Sequence, residues 1–237
     1  VRVGLKADDV TDFMLIGLPV SIIGGRLYYV LFDLEPYLKD PIQIFNTRSG
    51  GLAIYGALIA GGIWLYFFCR RNFISPVTFL DIAAPSVLLA QGIGRWGNFM
   101  NHEAHGAEVS RSFLESLHLP NFIIDNMNID GAYRQPTFLY ESVWNVLGFI
   151  VLILLRKKKG LLKEGEVFLG YLIWYGFGRF FIEGMRTDSL YLFGPIRVSQ
   201  VLSAVLFFGA IIVLIWRRKK TKVKDYNRSY GENEYVI

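Results

Sequence analysis

The chain has 237 residues, of which 53% are hydrophobic, 16% aromatic and only 19% charged. A soluble domain of this length buries its core with far less apolar surface, so lipid is read as the covering solvent. The formal net charge of +5 sits in short clusters at the ends of apolar runs. That placement argues against a nucleic-acid-binding face, and no nucleic-acid partner is expected.

Windows of about 20 mostly apolar residues, the length that crosses a bilayer core, recur near 10–32, 50–69, 77–96, 137–155, 165–183 and 196–216. The first follows "VRVGLKADD", which lacks the ordered regions of a secretory signal, and it carries Arg26 toward its far end. The second begins "GGLAIYGALIAGG" and ends at Cys69, Arg70 and Arg71. Its Ala53, Ala57 and Gly61 recur every four residues, with Gly56 and Ala60 beside them, a spacing that lets helices approach closely in lipid. Tyr55 is the polar exception there, and the single Cys69 reads as a packing residue. The third window is the weakest, with Asp81, Pro85 and Gln91 inside it, and it runs into "GIGRWGNFMNHEAHG" at 92–106. The fourth opens at "QPTFLYES", containing Glu141, and closes on Arg156, Lys157, Lys158, Lys159 and Lys163. The fifth ends in "YGFGRFFIEGMR", where Tyr175, Arg179, Glu183 and Arg186 recur at helical spacing and share one face. After the sixth come Arg217, Arg218, Lys219, Lys220, Lys222 and Lys224.

The predicted fold is all-α, a polytopic transmembrane helix bundle. Residues 1–220 form a membrane domain of six spans with a small extracytoplasmic head segment at about 100–136. Residues 221–237 form a polar cytoplasmic tail, expected to be mobile from Tyr226 onward. Basic residues stay on the cytoplasmic side, which puts the loop at 156–163 and the tail inside. Arg26, Tyr55, Arg95, Asn98, Glu141, Arg179 and Glu183 then all fall toward the outer leaflet. A charge inside a span is costly and marks function by default. Each one alone could snorkel or pair with a neighbour; together they point to one outward-facing site.

Within 92–106 the residue types have separate uses. Gly92, Gly94 and Gly97 let backbone approach a neighbour or ligand. Arg95 offers a planar fork of donors suited to phosphate. Asn98 and Asn101 can hold a ligand or fix that arginine, and Glu103 can accept from an arginine or move a proton. His102 and His105 are three apart in a loop, not four apart on a helix as in zinc sites, and His118 is remote, so no metal is expected.

These residues carry a resemblance. "GRWGNFMNHEAHG" closely resembles the signature of the prolipoprotein diacylglyceryl transferase family, bacterial membrane enzymes that lipidate lipoprotein precursors. "GGRLYYVLF", "GGLAIYGALIAG", "QPTFLYES", "YGFGRFFIEGMR" and "RVSQVLS" are similar to its other segments, in order, so the likeness covers roughly residues 4 to 216. Family members usually have seven spans, so one further span is expected upstream of the first window. The resemblance implies transfer of the diacylglyceryl group of phosphatidylglycerol to the lipobox cysteine thiol of a prolipoprotein signal peptide. The products would be a thioether and glycerol phosphate, with no nucleotide, metal or other cofactor. It also implies a multi-pass protein of the bacterial cytoplasmic membrane, in contact with membrane lipid, with its site facing the outer leaflet.

The catalytic residues so implied are Tyr55, Glu103 and Arg179. Arg95, Asn98, Arg179, Glu183 and Arg26 would bind phosphatidylglycerol, and Gly94, Gly97, Gly106, Glu141 and Arg186 would support the site. The position of Tyr55 is a histidine in many members and their usual candidate base. A tyrosine, with pKa ~10, is a poor base near neutrality, which leaves proton removal to Glu103, water or bulk, or to a Tyr55 whose pKa an arginine lowers. An anionic-lipid-binding or transporting membrane protein without transferase activity is the alternative, and turnover separates the two.

Overall fold

The computed structural model describes residues 5–47, 50–187, 191–193, 196–219 and 223–226. These residues are mostly helical and divide into two compact units, 1–79 and 80–237.

The first unit is built on α1 (Ala7–Phe32) and α3 (Ile54–Arg71), with α2 (Leu34–Lys39) and a 3₁₀ turn (Pro41–Phe45) between them. Small residues decide how α1 and α3 pack. A Cβ on Gly24 would overlap the Ala60 methyl, one on Gly56 would overlap Tyr28, and one on Gly25 would lie 3.1 Å from the Ala53 carbonyl. The backbones therefore approach as closely as the spacing of Gly56, Ala57 and Ala60 suggests. At the other end Trp64 Nε1 donates to the Phe13 carbonyl at 3.1 Å. Phe13 also meets Phe68 and Phe79 with ring centroids 5.5 and 4.7 Å apart. Cys69 is fully buried in this packing.

The second unit holds most of α4 (Pro76–Met100), then α7 (Thr137–Arg156), α8 (Glu166–Met185) and α9 (Val198–Lys219). Between α4 and α7 lies the head segment, with α5 (Arg111–Ser116), α6 (Asn121–Asn126) and a hairpin of β1 (Asn128–Ile129) and β2 (Ala132–Tyr133). Ser110 caps α5 by accepting from Phe113 N at 3.1 Å, and Asp130-Gly131, both at positive φ, make the hairpin turn. Leu114, Ile123, Ile124, Met127 and Ile129 of the head close over Phe99 and Phe138 in one apolar core. β3 (Tyr191–Phe193) and β4 (Ile196–Arg197) form a second small antiparallel pair ahead of α9.

Helices α7 and α8 are locked by an exchange of indoles. Trp144 Nε1 donates to the Trp174 carbonyl at 3.0 Å, and Trp174 Nε1 returns the bond to the Trp144 carbonyl at 2.9 Å. Each ring lies over a glycine of the facing helix: a Cβ on Gly178 would strike Trp144, and one on Gly148 would strike Trp174.

The basic end of this unit is tied together. Asp81, fully buried, accepts from Gly165 N at 2.5 Å and Phe168 N at 2.9 Å, so it caps α8 from α4. Glu166 receives Arg218 Nε and Nη2 at 2.9 and 2.8 Å. The sequence reading expected mobility from Tyr226 onward. Instead Tyr226 is 3% exposed, its N–H donates to the Leu162 carbonyl at 2.8 Å, and it joins Ala84, Leu88, Leu152 and Val167 in a core. An aromatic ring with an apolar pocket within reach buries there, and the polar composition after it gave no sign of that. The rest of the expected tail, 227–237, lies outside the described residues.

Six helices, α1, α3, α4, α7, α8 and α9, match the six apolar windows. Four of them, α1, α4, α7 and α9, are long and apolar enough to cross a membrane. In α9, the most apolar, only 11% of the apolar window is buried. Phe208, Ile212 and Trp216 stand exposed on it, as they would in a multi-pass membrane protein whose outer solvent is lipid.

Candidate active site

Three helices of the second unit bring their charged residues to one end. Arg95 and Asn98 lie in the last turns of α4, Glu141 in the second turn of α7, and Arg179 and Glu183 in the last turns of α8. Glu141 is the hub. Its Oε1 lies 3.0 Å from Arg95 Nη2 and its Oε2 accepts from Arg179 Nη1 at 3.0 Å. Arg179 Nη2 is 2.5 Å from Glu183 Oε2, the helical pair expected from the spacing, and Arg186 Nη1 approaches the same oxygen at 3.8 Å. Arg95 Nη1 donates to Asn98 Oδ1 at 3.1 Å. The carboxylates are almost wholly enclosed, with 5% and 3% of the side chain exposed, while Arg95 and Arg179 keep 23% and 12%. Buried acids thus hold two partly open guanidinium groups side by side. Each guanidinium has five N–H donors, and most of them meet no partner among the described residues.

The arrangement is fixed from outside. Trp96 Nε1 donates to Ser142 Oγ at 3.2 Å, and Ser142 Oγ donates to the Gly92 carbonyl at 2.9 Å, joining α4 to α7. A Cβ on Gly92 would sit 3.2 Å from the Ser142 carbonyl, so this glycine serves helix contact. Gly94 and Gly97 differ: a Cβ on either meets nothing within 4 Å. The loop after α4 returns to α8 through a bridge between Gly106 and Arg186. A Cβ on Gly106 would be 2.7 Å from Gln135 Cβ and 3.1 Å from the Met185 carbonyl. Glu103 is exposed, with its N–H bonded to the Asn98 carbonyl at 2.9 Å, and its carboxylate forms no ion pair among the described residues. His102 Nε2 pairs with Asn126 Oδ1 at 3.1 Å, whereas the His105 carbonyl holds Thr187 N at 3.3 Å, so the two histidines serve different neighbours.

One turn deeper lies a polar layer. Gln91 of α4 donates to Tyr171 Oη of α8 at 3.1 Å. Asn145, on the buried face of α7 below Glu141, is 1% exposed, and neither amide atom has a hydrogen-bond partner among the described residues.

In the first unit, Arg26 is 7% exposed. It donates to the carbonyls of Ile44, Gly50, Gly51 and Gln43 at 2.8, 3.2, 2.9 and 2.5 Å, and Tyr37 lies under it at 5.1 Å. Four of its five donors hold the backbone of the following turn. Tyr55 stands at the start of α3 and is 40% exposed.

The sequence reading missed Arg197, whose Nη1 donates to the Glu183 carbonyl. Its only signal was a cation at the start of the last apolar window, opening the segment "RVSQVLS". It also missed Asn145, visible as an amide inside "LYESVWN".

Comparison with known proteins identifies the family. The model of the prolipoprotein diacylglyceryl transferase family matches residues 2–216. A phosphatidylglycerol-prolipoprotein diacylglyceryl transferase of Enterococcus faecalis is 71% identical over 228 residues, covering 96% of this chain and 82% of the relative. Proteins of the same name from Pediococcus pentosaceus and Streptococcus sanguinis are each 60% identical, covering 94% and 90% of the chain and 80% and 81% of the relatives. By its arginine-to-glycine loop, its helical scaffold and these matches, the chain belongs to the prolipoprotein diacylglyceryl transferase family.

Proposed function

We propose that the chain transfers the diacylglyceryl group of phosphatidylglycerol to the lipobox cysteine of prolipoprotein signal peptides, at the outer leaflet of the bacterial cytoplasmic membrane. One observation carries the residue assignment: Arg95 and Arg179 are held by the same buried carboxylate, Glu141, at 3.0 Å each. Two guanidinium forks fixed in register form a phosphate clamp. The buried carboxylate holds both forks in place, so little reorganisation accompanies the reaction.

In the reaction the cysteine sulfur attacks the glyceryl carbon that bears the phosphate. The C–S bond forms and the C–O bond breaks. The electron pair leaves on the phosphate oxygen, and the thiol proton passes to a base. Arg95 and Arg179 stabilise the charge gathering on the departing phosphate, with Asn98 fixing Arg95 and Glu183 fixing Arg179. Glu103 is the carboxylate we assign to the proton, because its side chain is exposed and unpaired among the described residues. Tyr55 and Arg26 belong to the first unit and are assigned to lipid contact there; Arg26 spends four of its five donors on its own turn, so it contributes at most one bond to an anionic headgroup. Gly106 and Arg186 tie the signature loop to α8. All six long helices cross the membrane in this reading, with the head segment outside.

A lipobox peptide incubated with phosphatidylglycerol vesicles and the protein should gain one diacylglyceryl mass, read by mass spectrometry. Binding of lipid without that product would overturn the reading. Cysteines placed at 100–135 should react with impermeant reagents from outside, and cysteines at 157–163 should not.

A further inference from the structure

We propose that the polar layer beneath the clamp reads the ester linkages of the lipid, with Asn145 and Tyr171 donating to its acyl carbonyls. The inference deepens the reading above and rests on it. Each of the three helices that build the clamp repeats a polar residue deeper along the same face. Gln91 lies below Arg95 on α4, Asn145 below Glu141 on α7, and Tyr175 and then Tyr171 below Arg179 on α8. Four residues along a helix keep the face and descend about 6 Å. Gly92, next to Gln91, is where α4 meets this part of α7, since a Cβ there would lie 3.6 Å from Asn145 Cβ. Gln91 Nε2 donates to Tyr171 Oη at 3.1 Å, and Tyr171 stacks on Tyr175 with ring centroids 5.9 Å apart.

This layer has hydrogen-bonding capacity left over. Asn145 is 1% exposed, and among the described residues neither its Nδ2 nor its Oδ1 has a hydrogen-bond partner, nor does Gln91 Oε1. The Tyr171 oxygen accepts from Gln91, so its own proton meets no acceptor among those residues. If the Gln91 amide is turned over, Tyr171 donates and the glutamine NH2 is spare, so a donor is left at this pair in either orientation. Burying such groups without partners is costly, and a partner that arrives with the substrate offsets the cost. The diacylglyceryl group offers acceptors only. Its ester carbonyls follow the phosphate by a few bonds, on the side of the acyl chains. With the phosphate between Arg95 and Arg179, they fall at the depth of this layer. Gln91 is half-buried and flexible, and it is the side chain that swings aside to admit them. The reacting carbon is then held from both sides, by its leaving group above and its esters below, which aligns it for the sulfur. The esters stay with the transferred group, so these bonds persist through the reaction and act on KM.

Dialkyl phosphatidylglycerol, with ethers in place of both esters, tests this without altering the protein. Wild type should transfer from the diacyl lipid to a lipobox peptide with about tenfold higher kcat/KM than from the dialkyl lipid, the effect of about one neutral hydrogen bond. The gap should lie in KM. Asn145→Leu, at matched membrane amounts, should lose most of that gap by falling on the diacyl lipid alone, and Tyr171→Phe should narrow it by about threefold. Equal use of the two lipids by wild type would overturn the proposal. So would an Asn145→Leu loss of the same size on both, which would assign the amide to bound water or packing. Affinity of the same protein for the two lipids, read by native mass spectrometry, decides the question independently of turnover. If no thioether forms with either lipid, the reaction reading fails, while a diacyl preference in binding still upholds the proposal and equal binding overturns it.

Discussion

The two ends of the second unit both bury acids against arginines, yet they do different work. Glu166 and Glu183 stand on one helix, about 26 Å apart at the α-helical rise. At the basic end Asp81 and Glu166 are both closed off. Asp81 takes two backbone N–H groups, and Glu166 takes a two-pronged Arg218 and the N–H of Lys163. At the other end one carboxylate is shared between two arginines that keep donors to spare among the described residues. A saturated cluster anchors a helix, whereas one whose arginines keep open donors is prepared for an anion.

The sharpest way to break that contrast is at Arg95. Arg95→Ala should lower transfer by about 10³-fold, about 4 kcal/mol of transition-state stabilisation. Arg95→Lys should fail nearly as badly, because an ammonium cannot reproduce a planar two-bond grip on phosphate. Specific activity at matched membrane amounts decides it. A lysine variant with substantial turnover would mean that Arg95 only balances Glu141.

The acids sharpen the comparison next. Glu166→Gln should cost about 2 kcal/mol of stability, discounted because the Arg218 side chain is 48% exposed, with the activity of the folded fraction retained. Glu141→Gln should do the reverse, lowering activity about 10–100-fold by freeing both arginines from a common register, at smaller cost to unfolding temperature. Equal effects on activity from the two substitutions would erase the distinction between anchor and site.

Much of this was legible in the sequence, for physical reasons that differ by feature. Apolar windows are long-range averages, so six helices could be placed within a few residues. Charges inside them stand out because lipid makes them costly, and Arg95, Glu141, Arg179 and Glu183 were found that way. The pairing of Arg179 with Glu183 needs only helical spacing. Contacts made across the fold were not legible. Asp81 reaches a helix N-terminus 84 residues away, and Arg26 spends its donors on carbonyls whose positions depend on how the 43–51 turn bends back. Arg197 meets a backbone carbonyl, which no residue type announces. Gly94 and Gly97 could not be told from Gly92, because all three read as glycines on one helix while only Gly92 faces another backbone.

Asn145 tests the layer beneath the site. A buried amide with no partner is destabilising, so Asn145→Leu should raise stability by about 1 kcal/mol if the surrounding packing absorbs the methyl groups. Thermal unfolding in one detergent checks this. A fall in stability would show that the amide pairs with water or lipid in the membrane.

The smallest effect separates the glycines. Gly92→Ala and Gly106→Ala push a methyl against neighbouring backbone, and Gly106 has the tighter surroundings, with Gln135 Cβ at 2.7 Å. Both should lose stability. Gly94→Ala and Gly97→Ala meet no protein atom within 4 Å and lie inside α4, where alanine is the better helix former. They should therefore gain about 0.5 kcal/mol each. Their activity carries the information. If the space beside Arg95 is where the lipid headgroup docks, the added methyls should raise KM for phosphatidylglycerol several-fold while the protein becomes slightly more stable. A variant that is more stable and equally active would place that open face against bulk lipid, and the clamp would then have to admit its substrate from another side.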